Sequence, residues 1–121
     1  MVTDAASESR ADFRRVRRAE EFFRGRAKER VTVIEAAARA GCSVRALQIA
    51  FSRHRGVTPM AALRRIRLEA ARDALACADG PASIRGIAAE YGFTNPSRFA
   101  QMFREAFGRS PAEMRRLREE S

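Results

Sequence analysis

Apolar residues recur at intervals of three and four along most of this chain, a spacing that predicts helices. The first such stripe consists of Phe13, Val16, Ala19, Phe23 and Ala27, with Phe22 beside it. Arginines fill most of the remaining faces of this segment, and we interpret them as a solvated surface. Residues 1–10 are polar and aperiodic, so we expect a disordered tail or linker there. The whole pattern predicts seven helices and no strand.

The longest helical pattern runs over residues 59–78 and separates two halves of the chain. Thr58 can cap this helix through its hydroxyl, and Pro59 suits the first helical position, where its missing N–H would be unpaired anyway. Asp79-Gly80-Pro81 is predicted to end the helix. A helix of this length extends for about 30 Å. That length is close to one turn of B-DNA, ~34 Å.

The two halves flanking this helix are similar in sequence. Residues 37–43 and 88–94 both read Ala-Ala-x-x-Gly-apolar-Ser/Thr. The pairs matched further along are Leu47 and Phe99, Phe51 and Phe103, Gly56 and Gly108, Thr58 and Ser110, and Pro59 and Pro111. Two copies are too few for a solenoid, which needs at least three units. The repeat therefore indicates a duplicated supersecondary unit.

Each copy has the signals of a helix, a tight turn and a second helix. In the first copy Thr32 and Glu35 form a capping box, Gly41 supplies the turn, and Ser43 can cap the next helix. The corresponding residues of the second copy are Ser83, Gly92, and Thr94 or Asn95. A Gly-containing turn between two helices is typical of the helix-turn-helix. An ordinary helical hairpin without a DNA role is the alternative.

The predicted organisation has four parts. They are a disordered tail or linker at 1–10, a first helix-turn-helix lobe at 11–58, a linking helix at 59–78 and a second lobe at 79–121. Ser110 and Pro111 open a last short helix within the second lobe.

Composition and charge narrow the range of functions. The 121 residues suit one domain or two small lobes, and the net charge of +9 favours polyanionic partners. No apolar run is long enough to span a membrane, and no signal peptide is recognisable, so a cytoplasmic location is expected. Cys42 and Cys77 lack metal-site or redox spacing and are interpreted as small buried hydrophobes. His54 is interpreted as a partly buried packing residue.

No motif of an enzyme is present in the sequence. We find no Gly-rich phosphate loop, no nucleophile–base arrangement and no cluster with metal-ligand spacing. We therefore expect no catalytic site, no cofactor and no metal ion.

The second helix of each copy has one packing face and one polar face. In the first copy, the packing residues are Leu47, Ala50, Phe51 and His54, and the outward residues are Arg45, Gln48, Ile49 and Ser52. In the second copy, the packing residues are Phe99, Met102, Phe103, Ala106 and Phe107, and the outward residues are Ser97, Arg98, Gln101, and Arg104 or Glu105. Arginine can bind the O6 and N7 atoms of guanine, and glutamine can bind N6 and N7 of adenine. The outward faces therefore predict DNA contact.

Two arginines of these helices are better placed for phosphates than for base edges. Arg53 and Arg104 lie about a turn further along, and we interpret them as occupying matching places in the repeat.

Two sequence runs resemble a known family of proteins. The first is Arg67-Leu68-Glu69-x-Ala71-Arg72-x-x-Leu75. The second is Ile87-Ala88-x-x-x-Gly92-Phe93-x-x-x-Ser97-Arg98-Phe99-x-x-x-Phe103-Arg104-x-x-Phe107-Gly108-x-Ser110-Pro111. With these motifs the chain resembles the AraC/XylS family of bacterial transcription regulators over residues 13–118. The resemblance implies an all-α domain with seven helices, in which a long central helix joins two helix-turn-helix lobes as a homeodomain-like pair.

The resemblance also implies a function in the regulation of transcription. Both recognition helices would enter successive major grooves on one face of double-stranded DNA, and RNA polymerase would be a further partner. Carried over by motif position, the base-reading candidates are Arg45, Gln48 and Ile49 in the first lobe and Pro96, Ser97, Arg98 and Gln101 in the second. The phosphate candidates are Ser43, Arg53, Thr94 and Arg104.

Three residues depart from what is usual in the family. Ile49 stands where a polar side chain is frequent, so the first lobe is expected to read a thymine methyl group. Gln101 stands where Arg is frequent, which weakens the expectation of guanine in the second lobe. Gly86 stands within a helix where an acidic residue is usual.

Two alternatives to a sequence-specific regulator remain. One is an architectural protein that coats DNA without sequence preference, and the other is a helical protein-interaction module with an incidental basic surface. It is also open whether the chain is the DNA-binding part of a longer regulator that has an effector domain, or a small stand-alone activator.

Overall fold

The computed structural model of the protein describes residues 5–77 and 83–120. Within these ranges the chain forms seven helices and no strand, as the apolar spacing predicts. The helices are α1 (Ala5–Gly25), α2 (Val33–Ala40), α3 (Val44–Arg55), α4 (Pro59–Cys77), α5 (Ile84–Glu90), α6 (Pro96–Phe107) and α7 (Pro111–Glu120). The predicted helix stop at Asp79-Gly80-Pro81 lies outside the described residues.

Helix α1 begins earlier than the sequence pattern indicates. The prediction of a disordered tail is wrong for residues 5–10, because the helix starts at Ala5. Residues 5–10 are all exposed, so this part of the helix has no buried stripe and no apolar periodicity. Alanine favours the helix intrinsically, and Glu8 in the first turn interacts favourably with the helix dipole.

The predicted caps of the first helix-turn-helix are confirmed. The Thr32 hydroxyl accepts the N–H of Glu35 at 3.1 Å, and the Glu35 carboxylate accepts the N–H of Thr32 at 3.0 Å. Gly41 follows α2 with a φ of 74°, in the left-handed region, and Ser43 caps α3 by accepting the N–H of Ala46 at 3.1 Å. These local bonds fix where α2 ends and where α3 begins.

The caps of the later helices decide between Thr94 and Asn95 at the start of α6. Thr58 caps α4 and Ser83 caps α5, as predicted. Asn95 rather than Thr94 caps α6, because its Oδ1 accepts the N–H of Arg98 at 3.0 Å. The Ser110 hydroxyl likewise accepts the N–H of Glu113 at 3.1 Å, where α7 begins.

The chain divides into two compact units, and α4 belongs to both of them. The first unit holds α1, α2, α3 and the part of α4 up to Arg64, and the second holds the rest of α4 with α5, α6 and α7. The loop Ala27–Glu29 also belongs to the second unit. The predicted boundaries at 58 and 78 differ from this division, because a helix that supplies buried residues to two cores is not a separate linker.

Arg67 attaches the Ala27–Glu29 loop to the second unit. Its Nε donates to the carbonyl oxygen of Ala27 at 3.2 Å, and its Nη2 donates to that of Glu29 at 2.7 Å. Burial lowers the pKa of the Arg67 guanidinium, since removing the group from water disfavours its charged form. The two carbonyl contacts stabilise the group in this partly buried place.

The core of the first unit lies where α1 packs on α2 and α3. Its fully buried side chains include Val16, Phe23, Leu47 and Phe51. Phe13, predicted to lie on the buried stripe of α1, is 43% exposed and packs against His54, with ring centroids 5.8 Å apart. His54 is thus the partly buried packing residue that the sequence predicts.

Two carboxylates, those of Asp12 and Glu20, are buried on the side of α1 that packs against other helices. Apolar residues would be expected at such positions. Asp12 is 5% exposed and Glu20 is 8% exposed. Glu20 accepts two hydrogen bonds from Arg55 of α3, from Nε at 2.9 Å and from Nη2 at 3.0 Å. This bond to Glu20 raises the pKa of Arg55. The contact between α1 and α3 is therefore partly ionic.

The two cysteines differ in exposure. Cys42 is half-buried, and this burial raises the pKa of its thiol. Cys77 is exposed in the last turn of α4, so its predicted burial is wrong.

The core of the second unit is formed by apolar residues of α4, α5 and α6. Its buried members are Leu68, Ala71, Leu75, Ile87, Ala88, Phe99 and Phe103. The rings of Phe99 and Phe103 lie 5.6 Å apart, and the half-buried Phe93 and Phe107 extend the series at 5.0 Å and 4.7 Å. The predicted packing position of Phe103 is confirmed by its full burial.

Candidate nucleic-acid interface

Helix α3 presents the polar face that its sequence predicts. Leu47, Ala50 and Phe51 are fully buried against the first unit, whereas Arg45 and Gln48 are exposed. A shallow surface depression is lined by Arg45, Gln48, Ile49, Ser52 and Arg53. The fold therefore brings the predicted base-reading side chains of α3 together on one surface.

Ile49 is less available than Arg45 and Gln48. It is half-buried, and it borders a second groove between α1 and α3 together with Ala11 and Ala46. Only part of its side chain can therefore reach a thymine methyl group in the major groove.

Ser43 and Thr94 precede the two candidate recognition helices, α3 and α6, but only Ser43 caps the helix that follows it. The Ser43 hydroxyl oxygen accepts the Ala46 N–H and so caps α3, while its own O–H can still donate to a phosphate. Thr94 is exposed and leaves the capping of α6 to Asn95.

Helix α6 also has one buried face and one exposed face. Phe99 and Phe103 are buried in the second unit. The exposed side chains of this helix include all of its residues that are predicted to contact DNA, namely Pro96, Ser97, Arg98, Gln101 and Arg104. Pro96 stands at the first helical position, where its ring adds apolar surface next to Ser97.

Glu105 orients the side chain of Gln101 on this exposed face. The Nε2 of Gln101 donates to the Oε1 of Glu105 at 3.3 Å. A carboxylate can only accept, so the bond must come from the amide nitrogen and not from the amide oxygen. The Gln101 carbonyl oxygen and the second N–H are left for a base, and these are the groups that pair with adenine N6 and N7.

The two candidate recognition helices, α3 and α6, do not carry matching charges. Each has twelve residues and is followed by a left-handed glycine, Gly56 or Gly108. Counting back from these glycines, Arg53 corresponds to Glu105, and Arg104 corresponds to Ser52. The interpretation that Arg53 and Arg104 occupy matching places is therefore wrong. At the position of Arg53 the charge is reversed between the two lobes.

Arg53 is connected to α1 through an ion pair that sequence reasoning missed. Its Nη1 donates to Oδ2 of Asp12 at 3.2 Å, and Arg15 donates to Oδ1 of the same carboxylate at 3.2 Å. The one feature of the sequence that points to this cluster is Asp12, an acidic residue next to the apolar stripe of α1. That feature does not identify a partner on α3, since 41 residues of chain separate Asp12 from Arg53.

Metal sites and membrane spans are absent from the part of the chain that the structure describes. No group of three or more His, Cys, Asp or Glu residues there could hold a metal ion. None of the described helices is long and apolar enough to cross a membrane.

Comparison with protein families gives a match to most of the chain. A family model described as a helix-turn-helix domain matches residues 36–117. This range contains α3, α4, α5 and α6, and therefore both candidate recognition helices.

Curated proteins with similar sequences are regulators of bacterial operons. A probable thc operon regulatory protein of Rhodococcus erythropolis is 41% identical over 100 residues, which are 81% of this chain and 30% of the relative. The XylDLEGF operon transcriptional activator 2 of Pseudomonas putida is 34% identical over 97 residues, 77% of this chain and 60% of that protein. The chain thus spans between about a third and three-fifths of the length of these relatives.

Solved structures of similar shape come from the same kind of regulator. A probable AraC family transcriptional regulator from Rhodopseudomonas palustris matches with a TM-score of 0.79 and 33% identity, over 86% of this chain and 96% of that chain. A regulator with an AraC-type DNA-binding domain from Chromobacterium violaceum has a TM-score of 0.79 and 26% identity, over 86% of this chain and 91% of that one.

Proposed function

We propose that α3 and α6 are the two base-reading helices of this chain, which belongs to the AraC/XylS family of transcription regulators that bind DNA sequence-specifically. One observation carries the proposal. Each of these helices buries its apolar face in the core of its own unit and exposes its polar face. A helix whose polar side chains project from a rigid core can enter the major groove of DNA.

In the first unit, α3 would read a mixed sequence. Arg45 can bind guanine through O6 and N7, and Gln48 can bind adenine through N6 and N7. The exposed part of Ile49 would contact a thymine methyl group beside them.

In the second unit, α6 would favour a different sequence. Arg98 is the candidate for guanine, Gln101 in its Glu105-bound orientation suits adenine, and Ser97 can make a single hydrogen bond. Ser43, Thr94 and Arg104 would position the two helices by binding phosphates, which carry no sequence information. The reading segments of the two helices would therefore differ from each other.

We expect selection from a pool of random duplexes to enrich one asymmetric motif with two segments. The asymmetry follows from the different exposed residues of α3 and α6. The measurement is sequencing of the duplexes that the full chain retains at physiological salt. Binding without an enriched motif would indicate a protein that coats DNA, and absence of binding would favour a protein-interaction module.

Repeating the selection with variants of the chain shows which segment of the DNA motif is read by α3 and which by α6. Arg45→Ala or Gln48→Ala should relax one segment, and Arg98→Ala should relax the other, because each bidentate pair with a base supplies ~1–3 kcal/mol of discrimination. Ser97→Ala should have a smaller effect than Arg98→Ala, because a hydroxyl makes only one bond. Arg24→Ala on α1 is the matched control, since it removes an exposed arginine outside both faces and should leave the motif unchanged. A motif altered in both segments by Arg45→Ala would contradict this assignment.

We also infer that RNA polymerase is a partner and that an effector domain belongs to the complete regulator. Two observations support this: the Pseudomonas relative is named a transcriptional activator, and the chain covers only part of its relatives. Such a regulator acts on DNA in the cytoplasm.

In transcription assays with purified RNA polymerase and a promoter that carries the selected motif, the chain should change the amount of transcript. An unchanged amount would contradict the inferred interaction with the polymerase.

A further inference from the structure

A carboxylate of α1 lies between two arginines at the edge of the recognition surface of α3. We propose that Arg15 and Arg53 form a binding site for a phosphate of the DNA backbone, in which Asp12 is the positioning residue. The proposal rests on the proposed function, because it requires that α3 faces DNA. It extends that function by giving α1 a direct role in binding.

The geometry of the cluster separates a buried anion from two accessible cations. Asp12 accepts from Arg15 through Oδ1 and from Arg53 through Oδ2, each at 3.2 Å. The side chain of Asp12 is 7% exposed, while those of Arg15 and Arg53 are 36% and 61% exposed. The carboxylate is therefore the hidden part of the cluster, and the guanidinium groups extend to solvent.

The donors that remain suit a phosphate. A guanidinium has five N–H groups, and Asp12 accepts from only one nitrogen of each arginine. The cluster of two cations and one anion keeps a net positive charge. Arginine binds phosphate oxygens through paired N–H groups, so two neighbouring guanidiniums can hold one phosphate.

Asp12 is needed because the two arginines carry like charges. Without the carboxylate, Arg15 and Arg53 would repel each other, and their long side chains would move apart. With it, one oxygen atom holds each guanidinium, so less side-chain entropy is lost when a phosphate binds. The two guanidinium groups between Asp12 and the phosphate weaken the repulsion between these anions. The benefit of holding both arginines in place therefore outweighs this repulsion.

The place of the cluster agrees with a site for the DNA backbone. Arg53 lines the surface depression of α3 that also contains the base-reading candidates Arg45 and Gln48. Arg15 and Arg53 both line the groove between α1 and α3, and Glu8 borders the same groove one turn before Asp12. The charge of Glu8 disfavours an anion beside it, which confines the phosphate to the side of the two arginines.

The second unit lacks an equivalent arginine on its recognition helix. Glu105 occupies the position that corresponds to Arg53, and it accepts from Gln101. The phosphate site is thus a feature of the first lobe, and it should add to the salt-dependent part of the affinity of that lobe.

The test measures the affinity of the full chain for a short random-sequence duplex at several salt concentrations. Arg15→Gln should weaken binding roughly fivefold and reduce the log–log salt slope by at most the ~0.9 that one phosphate contributes, because Arg53 alone then holds the phosphate less tightly. Arg17→Gln is the matched control, because it removes the same charge from an exposed position of α1 outside the cluster. Arg15→Gln binding no more weakly than Arg17→Gln would overturn the proposal.

Asp12→Asn separates positioning from simple electrostatics. If Asp12 were only a negative charge near DNA, its neutralisation would tighten binding, whereas a positioning role predicts weaker binding with a reduced salt slope. In the double variant, Asp12→Asn should add little to Arg15→Gln, because both changes remove the same site. Tighter binding of Asp12→Asn, or fully additive effects, would contradict the role of Asp12. Thermal melts show whether Asp12→Asn folds, and Arg15→Gln remains informative if it does not, since Arg15 is partly exposed.

The outcomes distinguish this site from the proposed function. If the wild-type chain enriches a motif but Arg15→Gln matches the control, the phosphate site is wrong and sequence-specific reading stands. If no motif is enriched while Arg15→Gln and Asp12→Asn still reduce the salt slope, the phosphate site stands and the proposed base reading fails.

Discussion

Replacing Phe103 by Ala should lower the free energy of unfolding of the second unit by about 3–5 kcal/mol. Phe103 is 0% exposed, and its ring centroid lies 5.6 Å from that of Phe99 and 4.7 Å from that of Phe107. Truncation removes this buried apolar surface and leaves a cavity that neighbouring aromatic rings are too rigid to fill. It also removes the favourable edge-on interaction with the Phe107 ring.

The chain provides a probe for this measurement. Tyr91 is its only tyrosine and there is no tryptophan, so tyrosine fluorescence during urea unfolding reports on the second unit. The urea midpoint of Phe103→Ala should fall far below that of the wild type. Gln101→Ala, an exposed change on the same helix, is the control and should shift the stability by less than about 0.5 kcal/mol. Equal midpoints for these two variants would show that the packing face of α6 has been assigned wrongly.

Replacing Glu20 by Ala should destabilise the first unit by about 1.5–3 kcal/mol, the range for hydrogen bonds to a charged group. Glu20 accepts two hydrogen bonds from Arg55 in a bidentate pair, and it is only 8% exposed. Its removal leaves the Arg55 guanidinium without this anion between α1 and α3. The cost is expected below the range for breaking a fully buried pair, because the Arg55 side chain is 35% exposed and water can partly replace the carboxylate.

Far-UV circular dichroism during urea unfolding checks this expectation. Glu21→Ala is the matched control, since it removes the same side chain from the next and exposed position of α1. Its effect should stay within about 0.5 kcal/mol. Glu20→Gln should fall between the two, because the amide keeps one acceptor for Arg55 but has no charge. Equal stability of Glu20→Ala and Glu21→Ala would show that the ion pair contributes nothing to the packing of α1 on α3.

The ends of the helices were predictable because capping is local. Thr32, Ser43, Thr58 and Ser83 each accept an N–H three residues ahead, so each bond depends only on adjacent sequence. The choice between Thr94 and Asn95 was not predictable, because both side chains can accept such a bond. Asn95 caps α6 because the helix begins at Pro96, which places Asn95 at the N-cap position and Thr94 one residue too early.

The outward faces of α3 and α6 were also predictable, since helical periodicity places Leu47 and Phe51, or Phe99 and Phe103, on the opposite side. The orientation of Gln101 depends on Glu105 one turn later, and a local pattern contains that information too. The exposure of Phe13 was not predictable from its stripe. Its burial depends on how much of α1 the other helices of the first unit cover.

Local sequence was sufficient to predict the seven helices, the duplicated helix-turn-helix and the outward polar faces of α3 and α6. Each depends on spacings of a few residues, which the helix geometry translates directly into faces and caps. Long-range packing was needed to show that Asp12 joins Arg15 to Arg53, that Glu20 binds Arg55, and that α4 is shared between two units. These features depend on which segments meet in space, and 41 or 35 residues of chain separate the partners on α1 and α3. Because burial of a carboxylate is favourable only beside such a partner, Asp12 and Glu20 cannot be recognised as core residues until the packing of α1 on α3 is known.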